Sequence, residues 1–136
     1  MLRWPDRFRG VVLREGMLFN VVAFEDQGTG GAAFRLLYGE FLREAAERFG
    51  STELRDLARR MIAHGRDWRA ASRKLILLAR QIPTLDERYD DWYAANGAAF
   101  RDGLAELSRT WMGFADTELA FFQDLRRAAA RLESAR

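Results

Sequence analysis

Residues 8–24 read Phe8-Arg9-Gly10-Val11-Val12-Leu13-Arg14-Glu15-Gly16-Met17-Leu18-Phe19-Asn20-Val21-Val22-Ala23-Phe24, and the fold turns on how they are read. As a helix, the stretch from 6 to 27 places Phe8, Val11, Val12, Glu15, Leu18, Phe19 and Val22 on one face. Met17, Val21 and Phe24 fall on the other side, so such a helix is apolar nearly all round and expected to be buried. As a hairpin, residues 11–13 pair with residues 17–24 across a turn at Glu15-Gly16, and the β-branched content supports that. The pattern favours the helix and leaves the hairpin open.

Outward from this stretch the periodicity is helical. Gln27-Gly28-Thr29-Gly30-Gly31 breaks the chain. Phe34, Leu37, Tyr38, Phe41, Leu42, Ala45 and Phe49 then recur at helical spacing and predict a strongly amphipathic helix. Gly50 stands where a left-handed cap is wanted, and Ser51 can accept from the freed N–H groups of the next helix. That helix keeps one face through Leu54, Leu57, Ala58, Met61, Ile62, Gly65, Trp68, Ser72, Leu75, Ile76 and Ala79, until Pro83 stops it. Thr84-Leu85-Asp86-Glu87 has the form of a capping box. It predicts a short helix carrying Leu85, Tyr89, Trp92 and Tyr93 and ending near Asn96-Gly97. A last helical segment carries Phe100, Leu104, Leu107, Trp111, Phe114, Phe122, Leu125, Ala129 and Leu132, with Gly113 as a point of kinking or division. With no internal repeat and no linker, residues 1–136 are expected to form one all-α domain, a bundle of five to six helices.

Composition excludes more than it assigns. A chain of 136 residues can bury a core without staples. It contains no cysteine, which removes disulfides, thiolate metal sites and thiol catalysis. The net charge is +2 with acids and arginines interspersed, so no single-sign stripe points to nucleic acid. No secretory leader is evident at the N-terminus, and the longest apolar run, residues 17–24, is far short of the roughly 20 residues a membrane span needs. A cytoplasmic protein with neither a membrane nor a nucleic-acid partner is the expectation.

Few residues suggest chemistry. A di-iron bundle needs Glu-x-x-His on two helices, but the one histidine, His64, has Met61 three residues before it. Glu40, Glu44 and Glu47 share helical spacing, but Arg43 and Arg48 among them fit a solvated face of ion pairs. No metal and no cofactor is therefore expected. His64 as a general base would take Asp67 as its orienting carboxylate, yet no activated nucleophile is evident, and a structural histidine is the better reading. No catalytic residue is assigned, and an enzyme acting on its own is disfavoured. Gly28-Thr29-Gly30-Gly31 leads directly into a helix, whose N-terminal N–H groups and dipole suit an anion. Arg35, one turn in, could add charge. Against this, the phosphate-loop ending is missing, and the glycines serve equally well as a sharp turn between packed helices. Tyr38, Trp68, Trp92, Trp111, Tyr89 and Tyr93 could line a pocket or simply form core. Arg126, Arg127 and Arg131 fit a solvated helix end.

Residues 28–46, Gly-Thr-Gly-Gly-Ala-Ala-Phe-Arg-Leu-Leu-Tyr-Gly-Glu-Phe-Leu-Arg-Glu-Ala-Ala, are similar to the opening of the helical C-terminal domain of butirosin-biosynthesis-protein-H-like proteins. A Gly-Thr-Gly-Gly run there leads into Phe-Arg, a Tyr and Phe-Leu-x-Glu-Ala, and Trp68 matches a tryptophan on the following helix. The resemblance extends over residues 7–133 and is specific in residues 28–46. It implies a helical reading for residues 6–27. In that family the helical domain follows a papain-like domain holding a catalytic cysteine, and the best-known members transfer acyl groups from a carrier protein to an aminoglycoside. This sequence departs from the family in having no cysteine and no such domain upstream, so that catalytic role is carried onto no residue here.

The expectation is a non-catalytic interaction or accessory module in a biosynthetic pathway, docking on a protein partner or on itself as a homodimer. The alternative is a small-molecule-binding bundle with an aromatic-lined pocket, whose ligand residues would be Gly28, Thr29, Gly30, Gly31, Arg35, Tyr38 and Trp68.

Overall fold

The computed structural model describes residues 1–26, 32 and 34–134. Among these, every regular element is helical: α1 (Trp4–Arg7), α2 (Gly10–Glu25), α3 (Arg35–Phe49), α4 (Thr52–Gln81), a 3-10 turn (Asp86–Arg88) and α5 (Tyr89–Ser134). The fold is an all-α bundle, and the hairpin reading of residues 6–27 gives way to α2.

The frame is an antiparallel pair. Lys74 reaches Glu106, His64 meets Glu118, Arg60 reaches Asp124 and Arg131 reaches Glu53, so α4 and α5 run against each other over the whole of α4. The remaining segments form a third column in two pieces. α2 starts beside Asp86, whose Oδ1 accepts from the Val11 N–H at 2.9 Å, and ends with Phe24 edge-on to Trp68 midway along α4. α3 takes over there, with Leu36 against Gly65 and Ile62 against Gly39. Lengths agree: α2 has 16 residues and α3 has 15, against 30 in α4.

Each half of the column buries its own cluster. Leu13, Met17 and Val21 of α2 pack with Ala71, Leu75 and Ala79 of α4 and Tyr89, Phe100, Leu104 and Leu107 of α5. Leu42 and Ala46 of α3 pack with Leu54, Leu57, Ala58 and Met61 of α4 and Phe121 and Ala128 of α5. Burial of these side chains, worth about 1.5–3 kcal/mol for each large one, decides which face turns inward.

Local signals fared differently. Gly50 adopts the left-handed cap, at φ 62°, and Ser51 accepts from Leu54 N as expected. The helix that was to end near Asn96-Gly97 does not end. α5 runs 46 residues through Gly97 and Gly113, because Tyr89, Phe100, Leu104 and Leu107 hold one continuous buried line and outweigh a glycine's helix penalty of about 1 kcal/mol. Asn96 turns its amide back onto Trp92 O inside the helix. The Thr84–Glu87 capping box is not formed either. Leu85 precedes the 3-10 turn without a side-chain cap, and Asp86 is taken by the start of α2 instead. Gly10 permits that approach, since a Cβ there would lie 1.8 Å from Asp86 Oδ1.

The helix expected to be buried nearly all round is buried on one side only. Phe8, Val12, Phe19 and Val22 face outward, and the inward line is Gly10, Leu13, Met17 and Val21. On α3 the inward residues are Gly39, Leu42 and Ala46, while Phe34, Leu37, Phe41 and Phe49 are exposed. Phe122 is exposed as well, and Phe121 takes its place in the core.

Small residues set the α3–α4 distance. A Cβ on Gly65 would lie 2.6 Å from Leu36 Cδ2 and 3.3 Å from Leu36 N, whereas one on Gly113 would meet nothing within 4 Å. Gly65→Ala is expected to destabilise the fold by about 1–3 kcal/mol through overpacking. Gly113→Ala is expected to stabilise it by about 0.5–1 kcal/mol through helix propensity. Urea unfolding of the two variants checks the opposite signs.

Candidate functional site

Where α2 hands over to α3, the apolar line of α5 is interrupted. Leu104, Leu107, Trp111, Phe114, Phe121, Leu125 and Ala128 recur at alternating three- and four-residue steps, and Glu118 occupies the step between Phe114 and Phe121. His64 stands opposite on α4, buried among apolar neighbours. A carboxylate and an imidazole brought out of water here need partners.

They have them. Glu118 Oε1 lies 2.8 Å from His64 Nε2. Arg35, the first residue of α3, brings Nε and Nη2 to 2.6 Å from the same oxygen, and Trp68 Nε1 donates to it at 3.2 Å. The Arg35 guanidinium lies 3.8 Å above the Trp68 ring, a cation–π arrangement. Phe114 packs edge-on to His64 at 5.0 Å, and Trp68 stacks on Trp111 and meets Phe24 edge-on. Three helices thus contribute one residue or two each to a polar knot wrapped in aromatics.

Burial pushes the Glu118 carboxyl up. The hydrogen bonds from Arg35 and His64, the Arg35 charge and the Trp68 N–H pull it down harder, so it sits below the usual carboxylate range. An ionised carboxylate only accepts, so the proton between it and His64 rides on Nε2. Trp68 then has no acceptor in that ring nitrogen, and its N–H serves Glu118. With Nε2 committed in this way, the geometry is that of an orienting clamp on α3.

Of the residues singled out from the sequence, Arg35, Tyr38 and Trp68 come together. Arg35 and Tyr38 line a cavity of about 210 Å³ with Phe34, Met61, Glu118 and Phe122, and Trp68 lies beneath Arg35. Gly28, Thr29, Gly30 and Gly31 lie outside the described residues. Phe34 introduces α3 in the left-handed region at φ 69°, an uncommon conformation for an aromatic residue. Asp67 is exposed, and Glu118 holds the position by His64 that the sequence suggested for it. Glu40 and Glu47 are both bound to Arg43. Arg127 pairs with Asp124 and Arg131 with Glu53.

Ring contacts among the described residues gather in three places. Tyr89, Trp92, Tyr93 and Phe100 surround the start of α5. Phe24, Trp68, Trp111 and Phe114 enclose the polar knot. Tyr38 joins Phe41 on α3 to Phe121 and Phe122 on α5. Glu118 and Phe114 are the site residues that reading by helix missed as a set. The available signal was a charged residue standing in the apolar register of α5.

Because the folded-state pKa of Glu118 is depressed, its contribution to stability is present above the ordinary glutamate value of about 4.3 and is lost as pH falls below that value. Glu118→Gln is expected to cost about 1–3 kcal/mol at neutral pH, and the gap from wild type should narrow as the solution is acidified through that range. Denaturation of both proteins at a series of pH values tests it; a gap independent of pH would sink the assignment.

No curated protein and no solved structure matches the chain. Residues 1–125, from α1 through most of α5, match the model of one family, and the chain belongs to that family, described as Domain of unknown function (DUF4872).

Proposed function

We propose that this chain is a non-catalytic helical interaction module, an accessory domain that works by docking on a protein partner in a biosynthetic pathway. The observation that carries the reading is the outward face of α3 and α5. Phe34, Leu37 and Phe41 follow one another along α3, and Leu119 and Phe122 along α5, all exposed. Tyr38 ties the two rows together through its ring contacts with Phe41 and Phe122. Contiguous apolar surface of this kind marks interaction sites. His64 is buried and hydrogen-bonded to Glu118 within the knot, which supports a structural role for the one histidine. The similarity of residues 28–46 to the helical domain of butirosin-biosynthesis-protein-H-like proteins supports a partner that supplies the cysteine this chain does not contain. Among the described residues no helix is long and apolar enough to cross a membrane.

A second reading, a small-molecule-binding bundle, draws on the cavity that joins Arg35 and Tyr38. At about 210 Å³ it is smaller than the roughly 300–1,000 Å³ of ordinary ligand pockets, which places it behind the docking reading. A ligand at a hundred times its Kd would stabilise the fold by about 2.7 kcal/mol, and a thermal-shift screen in which Tyr38→Ala abolishes every hit separates the two.

For the docking reading, the tagged chain and its Phe41→Asp variant are each used to capture binding partners from the host. Recovery of the same polypeptide by wild type and its loss with the variant is the expected result. A wild-type chain that recovers nothing and does not self-associate ends the reading.

A further inference from the structure

We infer that the α3–α5 face closes against a second copy of this chain, in a two-fold dimer whose axis runs along the helices. This rests on the interaction-module reading and names its partner. Relative exposures are 52% at Phe34, 60% at Leu37, 59% at Phe41, 62% at Leu119 and 45% at Phe122. With side chains of this size those fractions amount to roughly 500 Å² of apolar surface. A stable interface buries about 800 Å² on each side, an apolar centre within a polar rim. The face supplies that centre.

The rim selects the partner. Glu44 continues the exposed row of α3, three residues beyond Phe41, and Arg126 continues that of α5, four beyond Phe122. Neighbouring charges are used within the chain: Arg43 by Glu40 and Glu47, and Arg127 by Asp124. Among the described residues, Glu44 and Arg126 have no hydrogen-bonding or ion-pair partner. α3 and α5 run in the same direction and in register, since Arg35 meets Glu118 and Tyr38 meets Phe121 and Phe122. The same register brings Glu44 to the level of Arg126.

A two-fold axis parallel to these helices lays α3 of each copy over α5 of the other without changing height. Each Glu44 then faces the other copy's Arg126, twice per dimer, as an isologous contact requires. A perpendicular axis in the interface would set α3 on α3 and leave both charges unmatched. The face is apolar at its centre and complementary to itself in charge under one symmetry operation.

Sedimentation velocity over a concentration series reads the outcome. Wild type should pass from monomer to dimer. Leu37→Asp should remain monomeric, while Phe19→Asp, on the exposed face of α2, should dimerise as wild type does. Glu44→Arg and Arg126→Glu should each weaken the dimer by about tenfold, because each change acts at two symmetry-related contacts, and the double exchange Glu44→Arg/Arg126→Glu should restore it. All these positions are exposed, and circular dichroism melts confirm folding of each variant. A dimer that Phe19→Asp breaks, or a double exchange no better than the single changes, overturns the proposed geometry. A wild-type monomer at every concentration overturns the second copy as partner. The capture experiment with Phe41→Asp then decides the interaction-module reading separately.

Discussion

Antiparallel pairing of α4 with α5 sets a length that the rest of the chain has to match. A helix of 30 residues is about 45 Å long, and no other segment before it is long enough to cover the groove alone. Two helices of 16 and 15 residues laid end to end are. The cross-pairs along α4 and α5, from Lys74–Glu106 to Glu53–Arg131, are mostly exposed and contribute little each. They report the register that the two buried clusters enforce. The cost of a divided column falls at the division, where neither α2 nor α3 can present a continuous apolar face. That is where His64 and Glu118 sit, and where Arg35 is recruited from the first turn of α3 to keep a half-buried carboxylate from standing alone.

Close approach of α3 to α4 explains the outward aromatics. Gly39 and Gly65 bring the two helices together, and Leu42 and Ala46 fill what space remains. Phe34, Leu37 and Phe41 do not fit that seam. They are pushed to the outer side of α3, where they stand exposed among the described residues. The arrangement is stable because the inner face is tightly packed with small groups, and it leaves large groups free for an outside surface.

Much of this was legible in the sequence and some was not, for reasons that lie in the range of the interactions. Gly50 and Ser51 act within a turn of themselves, and both do what local chemistry dictates. Helical periodicity identified α3 and α4 because it depends only on spacing. It could not orient α3 or α2, since apolar residues occupy more than half of each helix and the choice of inner face rests on which residues meet Gly65, Leu75 or Phe121 across the bundle. The α5 register shows the same limit: Phe121 and Phe122 are adjacent, and only the continuous line from Leu104 onward selects Phe121. Asp86 was read as part of a local box and is instead claimed by Val11, 75 residues away. Glu118 was invisible as His64's partner because 54 residues separate them, while Asp67 lay close in sequence on the same helix. Arg35, Tyr38 and Trp68 were found, though what joins Arg35 to Trp68 is a stacking contact and a shared carboxylate that no spacing rule encodes.

The polar knot and the apolar face belong to one device. Glu118 and Arg35 line the same cavity as Phe34, Tyr38 and Phe122, so the ion pair that anchors α3 adjoins the surface α3 presents. Two guanidinium nitrogens converge on one Glu118 oxygen, and the guanidinium stacks on Trp68, which together restrict its rotation. Fixing Arg35 therefore fixes the rotation of α3 about its own axis, and with it the angle at which Phe34, Leu37 and Phe41 project. An apolar surface alone would bind without much selectivity. One held in a single orientation by a half-buried charge network presents a defined shape, because complementarity at an interface centre depends on side chains that do not have to be ordered on contact. In this fold the ionisable residues of the knot orient α3, and the aromatic residues beside them form the outward surface.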